Sequence, residues 1–227
     1  MSRASSISAY ERVLERVGSE IVMGTRAPGE TTTVETLVAQ LGASRSVVRE
    51  AVRVLESLGA VRAGRRVGIT VLDGSQWNVL DGRMVRWRLA SDDRERQLAE
   101  LHDLRLAVEP EAAGLAAVRR DDAEAAELVA VAHRLVDAVD TPAAFLEADQ
   151  RFHGLLLQAS RNRLFLRLRS IIDEALRDRA DAMQQGPAPR HDAELHRRVA
   201  TAIADRDSAA AAAAAREIVV LNVNGAG

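Results

Sequence analysis

Apolar residues at the start of the chain repeat at helical spacing three times and then change period. Ile7, Val13, Leu14, Val17, Ile21 and Val22 share one side of a first helix over residues 5–23, which Ala27-Pro28-Gly29 ends. Val34, Leu37, Val38 and Leu41 share a face of a second helix, with Thr33 placed as its N-cap. After the turn Gly42-Ala43-Ser44, the residues Val48, Ala51, Val52 and Leu55 make the buried stripe of a third helix, and Ser44 is positioned to cap it. From Val61 to Val71 the pattern becomes two short β-prone runs around a basic, glycine-containing turn. Three short helices, the last two joined by a three-residue turn, followed by a two-stranded ribbon, make a winged helix-turn-helix.

The polar side of the third helix carries the candidate chemistry. Arg45, Arg49 and Arg53 follow one another turn by turn, with Ser46 beside them. Guanidinium groups so placed reach phosphates or base edges in a major groove. An ordinary surface helix, with Glu50 and Glu56 pairing those arginines, is the competing reading. The ribbon that follows favours nucleic acid, because it can set Arg65 or Arg66 near a phosphate or in a minor groove.

Residues 73–96 form a bridge that holds both tryptophans, Trp77 and Trp87, along with Leu80, Met84, Val85 and Leu89. These residues are expected to anchor the connection against a domain. Beyond it the spacing is helical almost throughout, over about 98–119, 122–139, 141–160, 163–182, 189–206 and 208–221, with Thr141-Pro142 a start signal and Ser160-Arg161-Asn162 a break. The alanines from Ala209 to Ala215 favour helix and close packing and carry no side-chain chemistry. The fold class is therefore mainly α: a winged helix-turn-helix over 1–72, a linker over 73–96, and an antiparallel bundle of about six helices over 97–222.

Charge refines the division. The formal net charge of −2 conceals ten arginines against seven acids in residues 1–72 and twenty-one against twenty-six in the remainder. The basic excess lies where nucleic acid would be met. The absence of cysteine excludes disulfides and thiolate catalysis. No apolar run approaches the roughly 20 residues of a membrane span, and a soluble, cytoplasmic protein without a membrane partner is expected.

Two groups in the bundle are candidates for small-ligand chemistry. Asp149 and His153 are one turn apart on the third bundle helix, and His196 on another helix can meet them; carboxylate and imidazole suit Zn, Mn, Ni or a similar divalent ion. Isolated hydrogen-bonded histidines are the alternative. Arg105 is suited to hold a carboxylate ligand bidentately, or else to form a helix salt bridge with Glu109 four residues on. Asn162, following the third bundle helix, is a further pocket candidate.

The run LVAQLGASRSVVREAVRVLESLGAVRAGRRVGITV resembles the winged-helix domain of the GntR family of bacterial transcription regulators. LHDLRLAVEPEAAGLAA, EADQRFHGLLLQASRNRLF and HRRVATAIADRD resemble the helical effector-binding and dimerising domain of its FadR-type subfamily, and the bridge is similar to that of sugar-acid catabolism regulators. The resemblance implies DNA contacts for Arg45, Ser46 and Arg49, a pocket-lining role for Arg105, and a metal held by Asp149, His153 and His196. Its fourth metal ligand falls at about Ile218, which cannot coordinate, and Glu35 and Arg66 stand where an arginine and a glycine are usual. The function so implied is that of a homodimeric repressor of sugar-acid catabolism genes, released from a double-stranded operator by a sugar acid; response to another small carboxylate is the alternative. A helical metalloenzyme and a constitutive architectural DNA binder are the competing classes. Against the enzyme stands the lack of an added acid or base motif.

Overall fold

A computed structural model describes residues 8–64, 67–182 and 190–224. The chain divides into two compact units, Met1–Gln97 and Leu98–Gly227.

In the first unit α1 spans Ala9–Val22, α2 Val34–Leu41 and α3 Arg45–Ser57. Ser8, Thr33 and Ser44 cap them, each side chain accepting from a backbone N–H three residues on. Gly42 ends α2 in the left-handed region at φ 62°, its N–H bonded to the carbonyl of Val38. Leu14, Val17 and Ile21 of α1, Leu37 of α2 and the stripe Val48, Ala51, Val52, Leu55 of α3 fill one core.

The wing has one more strand than the sequence pattern indicated. β2 (Val61–Gly64) and β3 (Gly68–Val71) pair antiparallel, and β1, only Thr31–Thr32, adds to the other edge of β3, giving the order β1-β3-β2. A two-residue strand whose partner lies far along the chain leaves no periodic signal. Glu56 of α3 accepts from the Ala63 N–H at 2.9 Å, which ties the wing to the helix beside it.

A short 3-10 turn, Gly74–Gln76, and α4, Gly82–Leu89, complete this unit. Met84 and Trp87 are buried in the same core, whereas Leu80 is exposed. The indole N–H of Trp87 donates to Glu15 at 2.7 Å, and its ring lies over Gly18, where an added Cβ would come within 2.3 Å. Glycine in mid-helix forgoes roughly 1 kcal/mol of helix propensity, and here that cost makes room for the indole.

The second unit is helical: α5 Arg94–Arg119, α6 Asp122–Asp137, α7 Pro142–Ala159, α8 Arg163–Arg167, α9 Arg169–Ala182, α10 Arg190–Ala204 and α11 Ser208–Asn224. Its core draws on Leu128, Leu135, Phe152, Leu156, Ile172, Val199 and Ile218, with alanines where helices approach closely. The Asp121–Glu124 capping box starts α6. Arg161, at φ 55°, turns the chain after α7. The continuous helix expected over residues 163–182 is in fact two, broken at Leu168. None of the described helices is long and apolar enough to cross a membrane.

Candidate DNA-reading face and buried ligand cluster

The outer side of α3 presents Arg45, Ser46 and Arg49 to solvent. Of the two acids that competed for these arginines, one takes Arg53 and the other takes none of them. Glu50 pairs with Arg53 at 3.3 Å and Glu56 holds the wing, so Arg49 has no ion-pair partner among the described residues. Arg45 is held at 2.5 Å by Glu35 of α2. Ser46 shares a hydroxyl contact with Ser44 at 3.0 Å. Arg65 and Arg66 lie outside the described residues. The Glu35–Arg45 pair is exposed on both sides, and such pairs contribute at most about 1 kcal/mol. Glu35→Gln removes a negative charge that would face phosphate and releases Arg45. DNA affinity at moderate salt should rise about two- to fivefold, with a steeper salt dependence, measured by fluorescence anisotropy. An unchanged or weaker affinity would show that Glu35 does not oppose binding.

The second unit brings Asp149 and His153 of α7 and His196 of α10 together in its interior, each 3% exposed or less. Asp149 Oδ1 lies 3.0 Å from His196 Nε2 and 3.3 Å from His153 Nε2, and the two Nε2 atoms are 3.4 Å apart. These three are the His, Asp or Glu groups among the described residues whose ligand atoms converge within 4.8 Å.

The protonation of the rings follows from their other nitrogens. His196 Nδ1 is 2.7 Å from the carbonyl of Asp192, which can only accept, so Nδ1 carries the proton and Nε2 keeps its lone pair in the neutral ring. His153 Nδ1 is 3.1 Å from Glu109 Oε2, again an acceptor. When both rings are neutral, two lone pairs and a carboxylate oxygen point into one small volume. Asp149 Oδ1 is buried without a well-aligned hydrogen bond despite its two near imidazoles, as expected when the three groups aim at a common centre and not at one another. Two nitrogens on a tetrahedral ion with bonds of about 2.0–2.1 Å stand about 3.3–3.4 Å apart, which matches the 3.4 Å between the two Nε2 atoms. The donor set thus fits a borderline divalent ion. Ile218, in the core of α11, supplies nothing to it.

Without a cation the cluster compensates by holding a proton. Burial alone would lower the His153 pKa, but the carboxylates of Glu109 and Asp149 outweigh it and raise it to about 9. Burial pushes Asp149 up, and the two imidazoles more than offset this, leaving it well below the ordinary carboxylate range.

The other two sequence candidates have local tasks. Arg105 is buried, with Nε 2.7 Å from Glu109 Oε1, so the helix salt bridge is the arrangement present. Burial works against ionising Glu109, yet Arg105 and His153 bring its pKa down to about 2. Asn162 caps α8, its side-chain oxygen accepting from the N–H groups of Leu164 and Phe165 at 3.0 and 3.4 Å. Glu109 is the member of the cluster without a ligand-site role in the sequence reading; its spacing to Arg105 is visible in the sequence, but its approach to His153 depends on how α5 meets α7.

A winged helix with an arginine-bearing reading face, followed by a helical unit with a buried polar cluster, is the construction of a ligand-responsive transcription regulator. The chain belongs to the gntR family of bacterial regulatory proteins, whose DNA-binding profile matches residues 9–71, and residues 100–220 match the FCD domain. It is 29% identical over 158 residues to the galactonate operon transcriptional repressor of Escherichia coli, covering 69% of either chain. It is 30% identical over 176 residues to an uncharacterised HTH-type transcriptional regulator of Mycobacterium tuberculosis, covering 76% of this chain and 70% of that one. A solved Streptococcus agalactiae GntR structure, 23% identical, superposes with a TM-score of 0.53 over 96% of this chain and 100% of its own, a likeness of fold.

Proposed function

We propose that the protein acts in the cytoplasm as a homodimeric repressor of sugar-acid catabolism genes, and that an aldonic acid such as galactonate lowers its affinity for the operator. The observation that carries this reading is the convergence of Asp149, His153 and His196 on one buried point, with a partner behind each imidazole. The galactonate operon repressor of E. coli, similar over both units, supports the choice of acid.

In this reading Arg45, Ser46 and Arg49 contact the major groove and the wing, with Arg65 and Arg66, meets the backbone or minor groove. Asp149, His153 and His196 would hold a divalent ion such as Zn, Mn or Ni, which would supply a Lewis-acidic centre for oxygen donors. Charge favours an anion there. Arg105 and Glu109 cancel, and Asp149 offsets half the charge of a divalent ion, leaving one positive charge for one carboxylate. The hydroxyl beside the carboxylate of an aldonic acid provides a second oxygen. The acid acts by preferring one arrangement of the DNA-binding units over another, and no turnover is involved.

Operator binding at fixed salt, titrated with galactonate and other aldonic acids before and after chelation, tests the reading. Galactonate should weaken binding at least tenfold, and chelation should blunt that effect. If no aldonic acid changes operator affinity, the sugar-acid assignment falls while DNA binding stands.

A further inference from the structure

We infer that Glu109, held by Arg105, is a positioning residue for the metal centre: it fixes His153 so that Nε2 faces Asp149 and His196. Arg105 then serves the metal and does not anchor the effector. This rests on the metal reading above and adds two residues of α5, a helix that contributes no ligand atom to the converging group.

Three observations carry it. First, Glu109 is 1% exposed, and Oε1 receives Arg105 Nε at 2.7 Å while Oε2 lies 3.4 Å from a terminal guanidinium nitrogen and 3.1 Å from His153 Nδ1. One carboxylate therefore spans the guanidinium and the ring. Second, each histidine has an acceptor behind it: the Asp192 carbonyl is hydrogen-bonded to His196 Nδ1 at 2.7 Å, and Glu109 Oε2 lies 3.1 Å from His153 Nδ1. A carboxylate behind an imidazole makes the ring a stronger donor than a carbonyl does, so the two rings are unequal ligands. The contact at His153 Nδ1 is an ion-pair approach at 3.1 Å without the alignment of a hydrogen bond. Third, Arg105 is 5% exposed and faces Glu109. Lending its guanidinium to an incoming carboxylate would strip Glu109 of its cation in the interior, which low dielectric makes costly.

The test uses the full chain and reads metal affinity directly, by competition for Zn²⁺ against a chromophoric chelator. Partners that orient a metal-bound histidine are worth about 10–100-fold in affinity. Glu109→Gln should lose an amount in that range and shift the visible absorption bands of the Co²⁺-loaded protein. Glu109→Asp, which keeps the charge, should recover part of the loss, and Arg105→Lys should fall between wild type and Glu109→Gln. Glu127→Gln, which removes a surface partner of Arg151, should bind Zn²⁺ as wild type does. Far-UV circular dichroism reports whether each variant is folded. A measurement on wild type needs no variant: in the Zn²⁺-loaded protein, long-range ¹H–¹⁵N correlations should show both imidazoles bound through Nε2, with His153 Nδ1 protonated. A folded Glu109→Gln variant with wild-type Zn²⁺ affinity and an unaltered Co²⁺ spectrum, or a His153 bound through Nδ1, overturns the inference. Wild type that takes up neither Zn²⁺ nor Co²⁺ overturns the metal reading itself, a different failure.

Discussion

Gly59→Ala should destabilise the first unit by about 3 kcal/mol or more, the largest stability loss expected from so small a change. Gly59 sits at φ 70° just past the end of α3, where the Ala60 N–H bonds back to the carbonyl of Leu55 and closes the helix. The left-handed conformation costs an L-residue about 1–2 kcal/mol. A steric cost adds to it, because a Cβ at this position would lie 2.0 Å from the backbone oxygen of Gln76. Backbone has no rotamer to escape into, and Gln76 is further fixed because Asn78 donates to the Leu58 carbonyl at 2.8 Å. Forced overpacking costs about 1–3 kcal/mol, so the two effects together exceed any gain from a stiffer unfolded chain, about 0.4–1 kcal/mol. Urea unfolding of the full chain followed by tryptophan fluorescence measures the change, since Trp77 and Trp87 both belong to this unit. A loss under about 0.5 kcal/mol would mean that the helix-to-strand passage around Gly59 can move away from the added methyl group.

Asp149→Asn should lower divalent-metal affinity more than 100-fold, a greater loss than replacing an orienting partner produces. The exchange keeps volume and removes the only anionic ligand from a group of three. It should also alter the response of the chelated protein to pH. His153 moves from an ordinary 6.5 to about 9 on folding, mainly because Glu109 and Asp149 overcome the effect of burial. A raised histidine pKa gives stability that is complete below pH 6.5 and disappears as pH rises through 9. Chelated wild type should accordingly lose several degrees of melting temperature between those values, of the order of 2–4 °C per kcal/mol. Zinc-loaded wild type should not, because a bound ion takes the place of the proton. In Asp149→Asn the decline of the chelated protein should be shallower, with Glu109 still in place. Equal slopes for the two chelated proteins would show that Asp149 does not hold the proton on His153.

Much of the architecture was legible because it is locally encoded. Thr33 and Ser44 announced α2 and α3, the stripe from Val48 to Leu55 gave the inward face of α3, and Asp149 with His153 gave two groups on one helical face. What escaped depends on distant parts of the chain. β1 exists because Thr31 meets Thr70, and two threonines carry no period of their own. The break at Leu168 falls inside a continuous helical pattern. The sequence offered a ligand carboxylate or Glu109 as the partner of Arg105; helical spacing supplies Glu109, and packing of α5 then brings that carboxylate to His153. Glu35 was noted only as standing where an arginine is usual, and its engagement of Arg45 became visible only once α2 and α3 were set across their turn.

The alanine run of α11 shows a constraint of another kind. Ala211, Ala214 and Ala215 are buried, and Ile218 and Val219 continue the same face. Seven like residues cannot tell one side of a cylinder from another, so the phase of the helix is set by counting from Ser208, which donates to the Gly114 carbonyl at 2.9 Å, to Ile218. One alanine more or fewer would swing everything beyond it through about 100°, carrying Ile218 and Val219 out of the interior. Three or four more would nearly restore the face. The tract is thus constrained in the number of its residues as well as in their size.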